Sequence, residues 1–289
     1  MSQLTSFIYP TIVSLPLGYD CTFPIDINRI ALQLAAPNAE LSVLARRYYE
    51  GKLIEESGQR LRFDNGRLVS GSPEAIVWRD AAERGETHPS FVEIAMNSID
   101  GTPVFSSRMA VSNYSIYTKP GKKAFFSDNA FKYGAPPIIS LMAKLGRFVE
   151  GYPSIHIDRE RDSGETLLLI NPYLRPILVR IVSSDGRTPL KIRVPPQSVR
   201  GVPLIDFMHD VETRWLGRIQ LTANNRLISF HVRHSLANPS IVSDHEHLDP
   251  FRTDRTHLPI SEAMRISLGG VLRRLRRSAA RRVSQSIGT

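Results

Sequence analysis

The sequence contains a single cysteine, Cys21, among its 289 residues. One cysteine cannot form an intramolecular disulfide, which excludes a small disulfide-stabilised secreted domain and favours a reducing compartment. No apolar run approaches the ~18 residues that a membrane-spanning helix needs. The apolar stretch at residues 7–17 is interrupted by Pro10 and Pro16, and it lacks the basic start of a secretory signal. We therefore expect a soluble, cytoplasmic protein, with peripheral attachment to a membrane left open.

Motifs of catalysis and cofactor binding are also missing. The sequence has no Gly-x-Ser-x-Gly elbow, no Gly-x-Gly-x-x-Gly after a strand, no phosphate loop and no cysteine–histidine pair arranged for a thiol nucleophile. The acids at residues 158–162 alternate with arginines, a pattern typical of solvated ion pairs rather than of paired catalytic carboxylates. These absences favour a protein that binds rather than catalyses.

Positive charge is concentrated at one end of the chain. The net charge is +9, but residues 271–289 hold six arginines and no acid. The preceding 270 residues carry 31 basic against 28 acidic residues and are close to neutral. A nearly neutral body argues against an extended nucleic-acid surface. The hydrophobic fraction of 42% is that of a globular chain with a substantial core.

Residues 165–235 carry the clearest structural pattern, a series of short apolar runs separated by turn residues. Asn171-Pro172, Asp185-Gly186 and Pro195-Pro196 punctuate this stretch, and Asp-Gly between alternating runs is a strong hairpin signal. Six or seven short strands with a turn every 8–12 residues are typical of an immunoglobulin-like sandwich. We therefore predict a mainly β protein built on one or two immunoglobulin-like β-sandwiches. The predicted strands are residues 166–170, 177–182, 190–194, 199–204, 215–222 and 227–232.

The pattern differs on either side of this block, and four regions follow from it. Helical spacing and capping residues predict an α-rich N-terminal region, with a small hairpin at the Asn65-Gly66 turn. Its predicted helices are residues 27–35, 39–50 and 72–84. A first sandwich or half-sandwich follows, with strands in 91–96, 108–118 and 123–133 and a helix at 138–149. The predicted regions are 1–90, 91–160, 161–258 with the immunoglobulin-like sandwich and a His-rich loop, and 259–289 as a basic amphipathic helix.

Histidines are concentrated near the end of the predicted sandwich. His245 and His247 stand two apart in the segment Asp244–His247, so an extended chain places both imidazoles on one side. His257 and His231 are near enough in sequence to complete a ligand set for Zn²⁺ or Fe²⁺. The alternative is a polar loop whose histidines bond to backbone or solvent. The spacing leaves both open.

The arginines of the C-terminus form a second candidate site, for a polyanion or an anionic surface. In a helix, an apolar stripe would face one way and the arginines would cover the rest. Such a helix can lie on an anionic membrane, bind nucleic-acid phosphates, or simply dock its leucines on the body. The six residues are Arg273, Arg274, Arg276, Arg277, Arg281 and Arg282.

We expect a non-catalytic scaffold or ligand-binding protein that acts through sandwich loops and edges, with attachment to an anionic surface through its Arg-rich end. Protein or glycan ligands and an anionic membrane are the expected partners, and nucleic acid fits less well. The alternative is a metal-dependent hydrolase or oxidoreductase centred on the Asp244–His247 segment, with a divalent metal as its cofactor. Without that metal, no cofactor is expected.

Overall fold

The computed structural model describes residues 10–72, 76–79, 85–99, 114–119, 125–132, 148–151, 153–186, 189–207 and 213–248. These residues form nineteen β-strands and two short helices, α1 (Ile27–Gln33) and α2 (Leu204–Phe207). The strands are β1 Thr11–Leu15, β2 Asp20–Phe23, β3 Ala39–Tyr49, β4 Lys52–Asp64, β5 Arg67–Ser70, β6 Ile76–Trp78, β7 Ser90–Ser98, β8 Tyr114–Thr118, β9 Phe125–Asp128, β10 Ala130–Phe131, β11 Phe148–Gly151, β12 Ser154–Asp158, β13 Ser163–Asn171, β14 Ile177–Ser183, β15 Leu190–Val194, β16 Ser198–Pro203, β17 Arg214–Ala223, β18 Ile228–Ser235 and β19 Val242–His247.

The strands form three antiparallel sheets. A six-stranded sheet has the order β10-β1-β7-β3-β4-β5, and a four-stranded sheet has the order β6-β2-β8-β9. A nine-stranded sheet has the order β15-β14-β17-β12-β13-β18-β19, with β11 paired to β17 and β16 paired to β13. Because β17 pairs with β14 through residues 219–223 and with β12 through residues 214–218, one long strand joins both parts of the largest sheet.

Of three apolar clusters, one lies within the nine-stranded sheet and two join different sheets, and β13 takes part in two of the three. Leu167 and Leu169 belong to a cluster that includes side chains of β14 and β17. Leu168 and Ile170 point the other way, because successive side chains of a strand alternate between faces. These two pack with Phe91 of β7 and other residues of the six-stranded sheet. The third cluster lies between the six-stranded and four-stranded sheets. The core of this protein is therefore a stack of sheets in which β13 is buried on both faces.

The prediction of an α-rich N-terminal region is wrong. Residues 39–50, predicted as a helix, form strand β3 and the turn that follows it. Leu41, Val43 and Ala45 are buried at alternate positions, so the period of 2 decides the structure rather than the i, i+3, i+7 spacing of residues 41, 44 and 48. Glu50 and Gly51 both have positive φ, as a tight primed hairpin turn requires.

Other N-terminal predictions have mixed outcomes. The helix at 27–35 is confirmed as α1, with Asp26 accepting from the backbone N–H of Arg29 as its cap. The hairpin at Asn65-Gly66 is confirmed between β4 and β5, and both turn residues have positive φ. The helix predicted for 72–84 is wrong at residues 76–78, which form β6; residues 73–75 and 80–84 lie outside the described part.

The predicted strands of residues 165–235 are confirmed as β13 to β18, and the mainly β, antiparallel character holds throughout the described residues. The immunoglobulin-like arrangement is not confirmed and stays a prediction, as do the domain boundaries. In the predicted helix 138–149, residues 148 and 149 belong to strand β11, and the rest lies outside the described residues. The C-terminal helix 259–289 also lies outside them.

Substitution of Leu168 tests the contact between the stacked sheets. Leu168→Ala should lower the free energy of unfolding by about 2–5 kcal/mol, because it leaves a cavity where β13 meets the six-stranded sheet. Leu216→Ala, at a strand position that is 67% exposed, should change it by less than about 0.5 kcal/mol. Urea denaturation of both variants measures the difference. Equal stability of the two would contradict this account of the core.

Candidate functional site

The structure places three of the four predicted metal-ligand histidines on neighbouring strands but not on one face. His231 lies opposite Glu246 in the β18–β19 pair, whereas His245 lies opposite Val232 and His247 opposite Phe230. Directly opposed residues share a face and successive residues alternate, so His231 points away from His245 and His247. His257 lies outside the described residues.

His245 is buried where the three sheets meet. Its Nδ1 lies 2.6 Å from the Ser127 hydroxyl and its Nε2 lies 3.3 Å from the Ser14 hydroxyl. The rings of Phe230 and Tyr117 lie 4.9 Å and 5.2 Å from its ring centre. Burial lowers the pKa of His245 to about 3, because a charged imidazole would lose its hydration there. His245 is therefore neutral at physiological pH and held by two hydroxyls.

His247 lies beside β9. Its backbone N–H donates to Asp128 Oδ1 over 2.7 Å, and its Nδ1 lies 3.9 Å from Asp128 Oδ2. This contact ties the edge strand β19 to the four-stranded sheet. Within the described residues, no group of three or more His, Cys, Asp or Glu side chains is arranged to hold a metal ion. Because His257 falls outside that part of the chain, the metal site and the metal-dependent alternative stay predictions.

His231 belongs to a separate, buried charged cluster around Glu165. Its Nε2 donates to Glu165 Oε2 over 2.6 Å. Arg233 donates from Nε and Nη2 to Oε1, each over 3.2 Å, and the backbone N–H of His156 donates to the same oxygen over 3.0 Å. Burial tends to raise the pKa of Glu165, but the hydrogen bond and charge of His231, with His156 and Arg233, outweigh it and lower the pKa. The carboxylate is thus ionised and fully used by its partners.

Charge is unevenly distributed on the outer face of β14, β15 and β17. Alternation along these strands turns ten side chains outward, and five of them are basic: Arg180, Lys191, Arg193, Arg214 and Arg218. None of the other five is acidic: Leu178, Val182, Leu216, Gln220 and Thr222. We call these ten residues the basic face.

Register brings three of the five charges of the basic face together, whereas Arg214 and Arg218 lie further along β17, on the part that pairs with β12. Arg180 lies directly opposite Lys191, and Arg193 lies opposite Leu178. Opposed residues have Cβ atoms roughly 5 Å apart, and like charges at that spacing destabilise a sheet. Within the described part of the chain, Arg180, Lys191, Arg193 and Arg218 have no ion-pair partner. Arg214 donates from Nε to His156 Nε2 over 3.1 Å and lies directly opposite the buried Asp158 of β12. Four of the five positive charges of the basic face are therefore not compensated by described neighbours, whereas Arg214 has Asp158 beside it.

The outer charges of β3 and β4 are arranged differently. Arg46 Nε lies 2.7 Å from Glu56 Oε2, and Arg62 Nε lies 3.8 Å from Glu40 Oε1. Both pairs join exposed residues of opposite sign across neighbouring strands. This is the ordinary arrangement of a solvated sheet surface, and the basic face departs from it.

Sequence reasoning missed the basic face and selected the arginines at residues 273–282, which lie outside the described residues. The sequence nevertheless contains a signal for this surface. Basic residues alternate with apolar ones in Leu190–Val194, and Arg180 interrupts an otherwise apolar strand in the same manner. What the sequence could not show is that these strands are neighbours, because pairing is a property of the folded sheet.

His245 should make the fold less stable at mildly acidic pH, because its imidazole takes up a proton there only when the chain unfolds. The folded pKa of about 3 is below the unfolded value near 6.5, so the unfolded state binds more protons between these values. Stability is unaffected above about pH 6.5 and falls by up to ~1.4 kcal/mol per pH unit below it, or about 2 kcal/mol at pH 5. Urea denaturation at pH 7 and pH 5 should show this loss, and His245→Gln should remove it. The same pH dependence in His245→Gln would refute the assignment.

Glu165 provides a second test of the buried clusters. Glu165→Gln should lower the free energy of unfolding by about 1.5–3 kcal/mol, because it weakens hydrogen bonds made to a charged carboxylate. The stabilisation is present above the unfolded carboxyl pKa near 4.3 and is lost as the pH falls through the lowered folded value. Glu246→Gln, at an exposed position opposite His231, is the control and should change little. An equal effect of both variants in chemical denaturation would argue against the cluster.

No helix among the described residues is both long and apolar enough to cross a bilayer. Comparison of the chain with protein-family models, with curated proteins and with solved structures gave no match.

Proposed function

We propose that this chain is a non-catalytic binding protein that docks on an anionic partner through the basic face. The observation that carries the proposal is the set of five basic, and no acidic, outward side chains on β14, β15 and β17. Placing Arg180 directly opposite Lys191 costs the isolated protein stability. A bound anion would convert that repulsion into attraction, which is a physical reason for such a pair in a binding surface.

Two further features support binding rather than catalysis. Two buried ionisable groups are engaged in structural contacts: Glu165 with His231 and Arg233, and His245 with Ser127 and Ser14. Their contacts hold strands and sheets together. The basic face, in contrast, is directed to solvent, and most of its positive charges have no ion-pair partner among the described residues. The six arginines at residues 273–282 would add further positive charge to the same attraction, and peripheral association with a cytoplasmic surface follows from this proposal.

The architecture proposed for the docking part is an immunoglobulin-like sandwich. Support comes from the apolar cluster that Leu167 and Leu169 of β13 share with Val179 of β14 and Leu221 of β17. Two groups of strands within one sheet therefore contribute to a common core, as the two layers of a sandwich do. The solvent side of these strands carries the basic face, with Arg180, Lys191 and Arg193 on β14 and β15 and with Arg214 and Arg218 on the part of β17 that pairs with β12.

Retention on immobilised heparin, a generic polyanion, tests the proposal. The triple variant Arg180→Gln, Lys191→Gln and Arg193→Gln should elute at clearly lower salt than the unmodified chain, because charge-dependent binding weakens as charges are removed and as salt screens them. The control is Lys52→Gln, Arg60→Gln and Arg67→Gln, which removes the same charge from exposed positions of β4 and β5.

The control triple should elute close to the unmodified chain. Failure of the unmodified chain to bind heparin even at low salt would refute the proposed function. Equal elution of the two triple variants would show that net charge, rather than the basic face, governs binding.

A further inference from the structure

We infer that the partner of the basic face is a bilayer surface containing anionic phospholipids. This inference rests on the proposed function, and it specifies the chemistry of the partner. Heparin offers negative charge without an apolar layer, whereas a bilayer offers negative headgroups together with an apolar layer just beneath them. The basic face has side chains suited to both.

Two leucines lie among the bases of this face. Leu178 is 56% exposed and stands two residues before Arg180 and directly opposite Arg193. Leu216 is 67% exposed and stands between Arg214 and Arg218, two positions from each on the same face. Each leucine is therefore flanked by bases on its own side of the sheet. A membrane-interface surface places basic residues at the headgroups and leucines toward the acyl boundary, and the basic face has both types of residue.

The positive charges of the basic face suit anionic headgroups, because there are several of them and most have no ion-pair partner among the described residues. A basic residue close to an anionic membrane strengthens binding about fivefold. Arg180, Lys191, Arg193 and Arg218 have no ion-pair partner among the described residues, so binding would not require breaking one. Long basic side chains can also extend to the headgroups while leaving shorter leucines room to approach the bilayer.

The basic face lacks the aromatic side chains and the groove-binding elements that nucleic-acid recognition uses. None of its ten outward residues is aromatic, so it offers no platform on which single-stranded bases could stack. Trp215, the nearest aromatic on β17, points inward, is 9% exposed and donates its indole N–H to Asp185 over 2.9 Å. The face of a broad sheet also presents no single helix or two-stranded ribbon to enter a duplex groove. Exposed leucines between the bases would gain nothing from phosphates.

Co-sedimentation of the full chain with vesicles tests the inference. Vesicles of phosphatidylcholine with phosphatidylserine should bind the unmodified chain, and vesicles of phosphatidylcholine alone should bind it far less. The triple variant at Arg180, Lys191 and Arg193 should partition about a hundredfold less strongly, since three bases are lost. The double variant Leu178→Ser and Leu216→Ser should lose on the order of tenfold or more on vesicles, because its apolar contact with the bilayer is gone. Its elution from heparin should be unchanged.

A matched control replaces leucines elsewhere. Leu32→Ser and Leu53→Ser alter side chains that are 85% and 49% exposed on α1 and β4, and this variant should bind vesicles like the unmodified chain. Three outcomes would overturn the inference: no binding to phosphatidylserine vesicles, equal vesicle binding by the two leucine variants, or tighter binding to duplex DNA or RNA at the same salt. Retention on heparin together with any of these would leave the proposed function standing and refute only the lipid partner.

Discussion

The apolar contact of β13 and β18 with the six-stranded sheet holds the layers of the molecule together. Leu168, Ile170 and Phe230 fill one side of this contact, and Ile12 and Phe91 fill the other. Because Leu167 and Leu169 are buried on the opposite face, β13 has no side exposed to water at its centre. Strands that are covered on both faces must be apolar at consecutive positions, which accounts for the run Leu167–Ile170.

Stacking sheets in this way forces polar side chains into dry surroundings, and each of them then needs a partner. Arg47 is buried and donates to Ser90 and Glu86, at 3.1 Å and 2.9 Å. Glu165 and His245 meet the same demand with side chains from other strands. Partner groups that come from distant parts of the chain make these contacts specific, because a slip in strand register would leave a buried group without its hydrogen bond. The clusters thereby help define one arrangement of the layers.

Charge follows the same geometry at the outside of the stack. Inward positions of β14, β15 and β17 are needed for the core, so ionisable residues on these strands fall at outward positions. On β3 and β4 the outward charges have both signs and form pairs. On the basic face they have one sign and include a directly opposed like pair, an arrangement that folding alone does not favour. That contrast between two surfaces of one molecule is the main reason to regard the basic face as functional.

Local pattern was sufficient for β13 to β18 and for the hairpin turn at Asn65-Gly66, since alternation and positive-φ turn residues act within a few residues of sequence. Local pattern failed for β3. Leu41, Leu44 and Tyr48 have the spacing of one helical face, but the buried positions of this strand alternate. Pairing with β4 and β7 overrides the local preference there, and no short window of sequence contains that information. Candidate-site prediction was limited for the same reason: Arg180, Lys191 and Arg193 become neighbours only when β14 pairs with β15, and β17, which carries Arg214 and Arg218, is joined to them only by its pairing with β14. Composition alone therefore establishes one cysteine, a nearly neutral body and an Arg-rich end, and local alternation establishes the strands of residues 165–235. Tertiary structure alone decided which strands are adjacent, because sheet pairing joins residues far apart in the chain, and so it alone decided where positive charge accumulates.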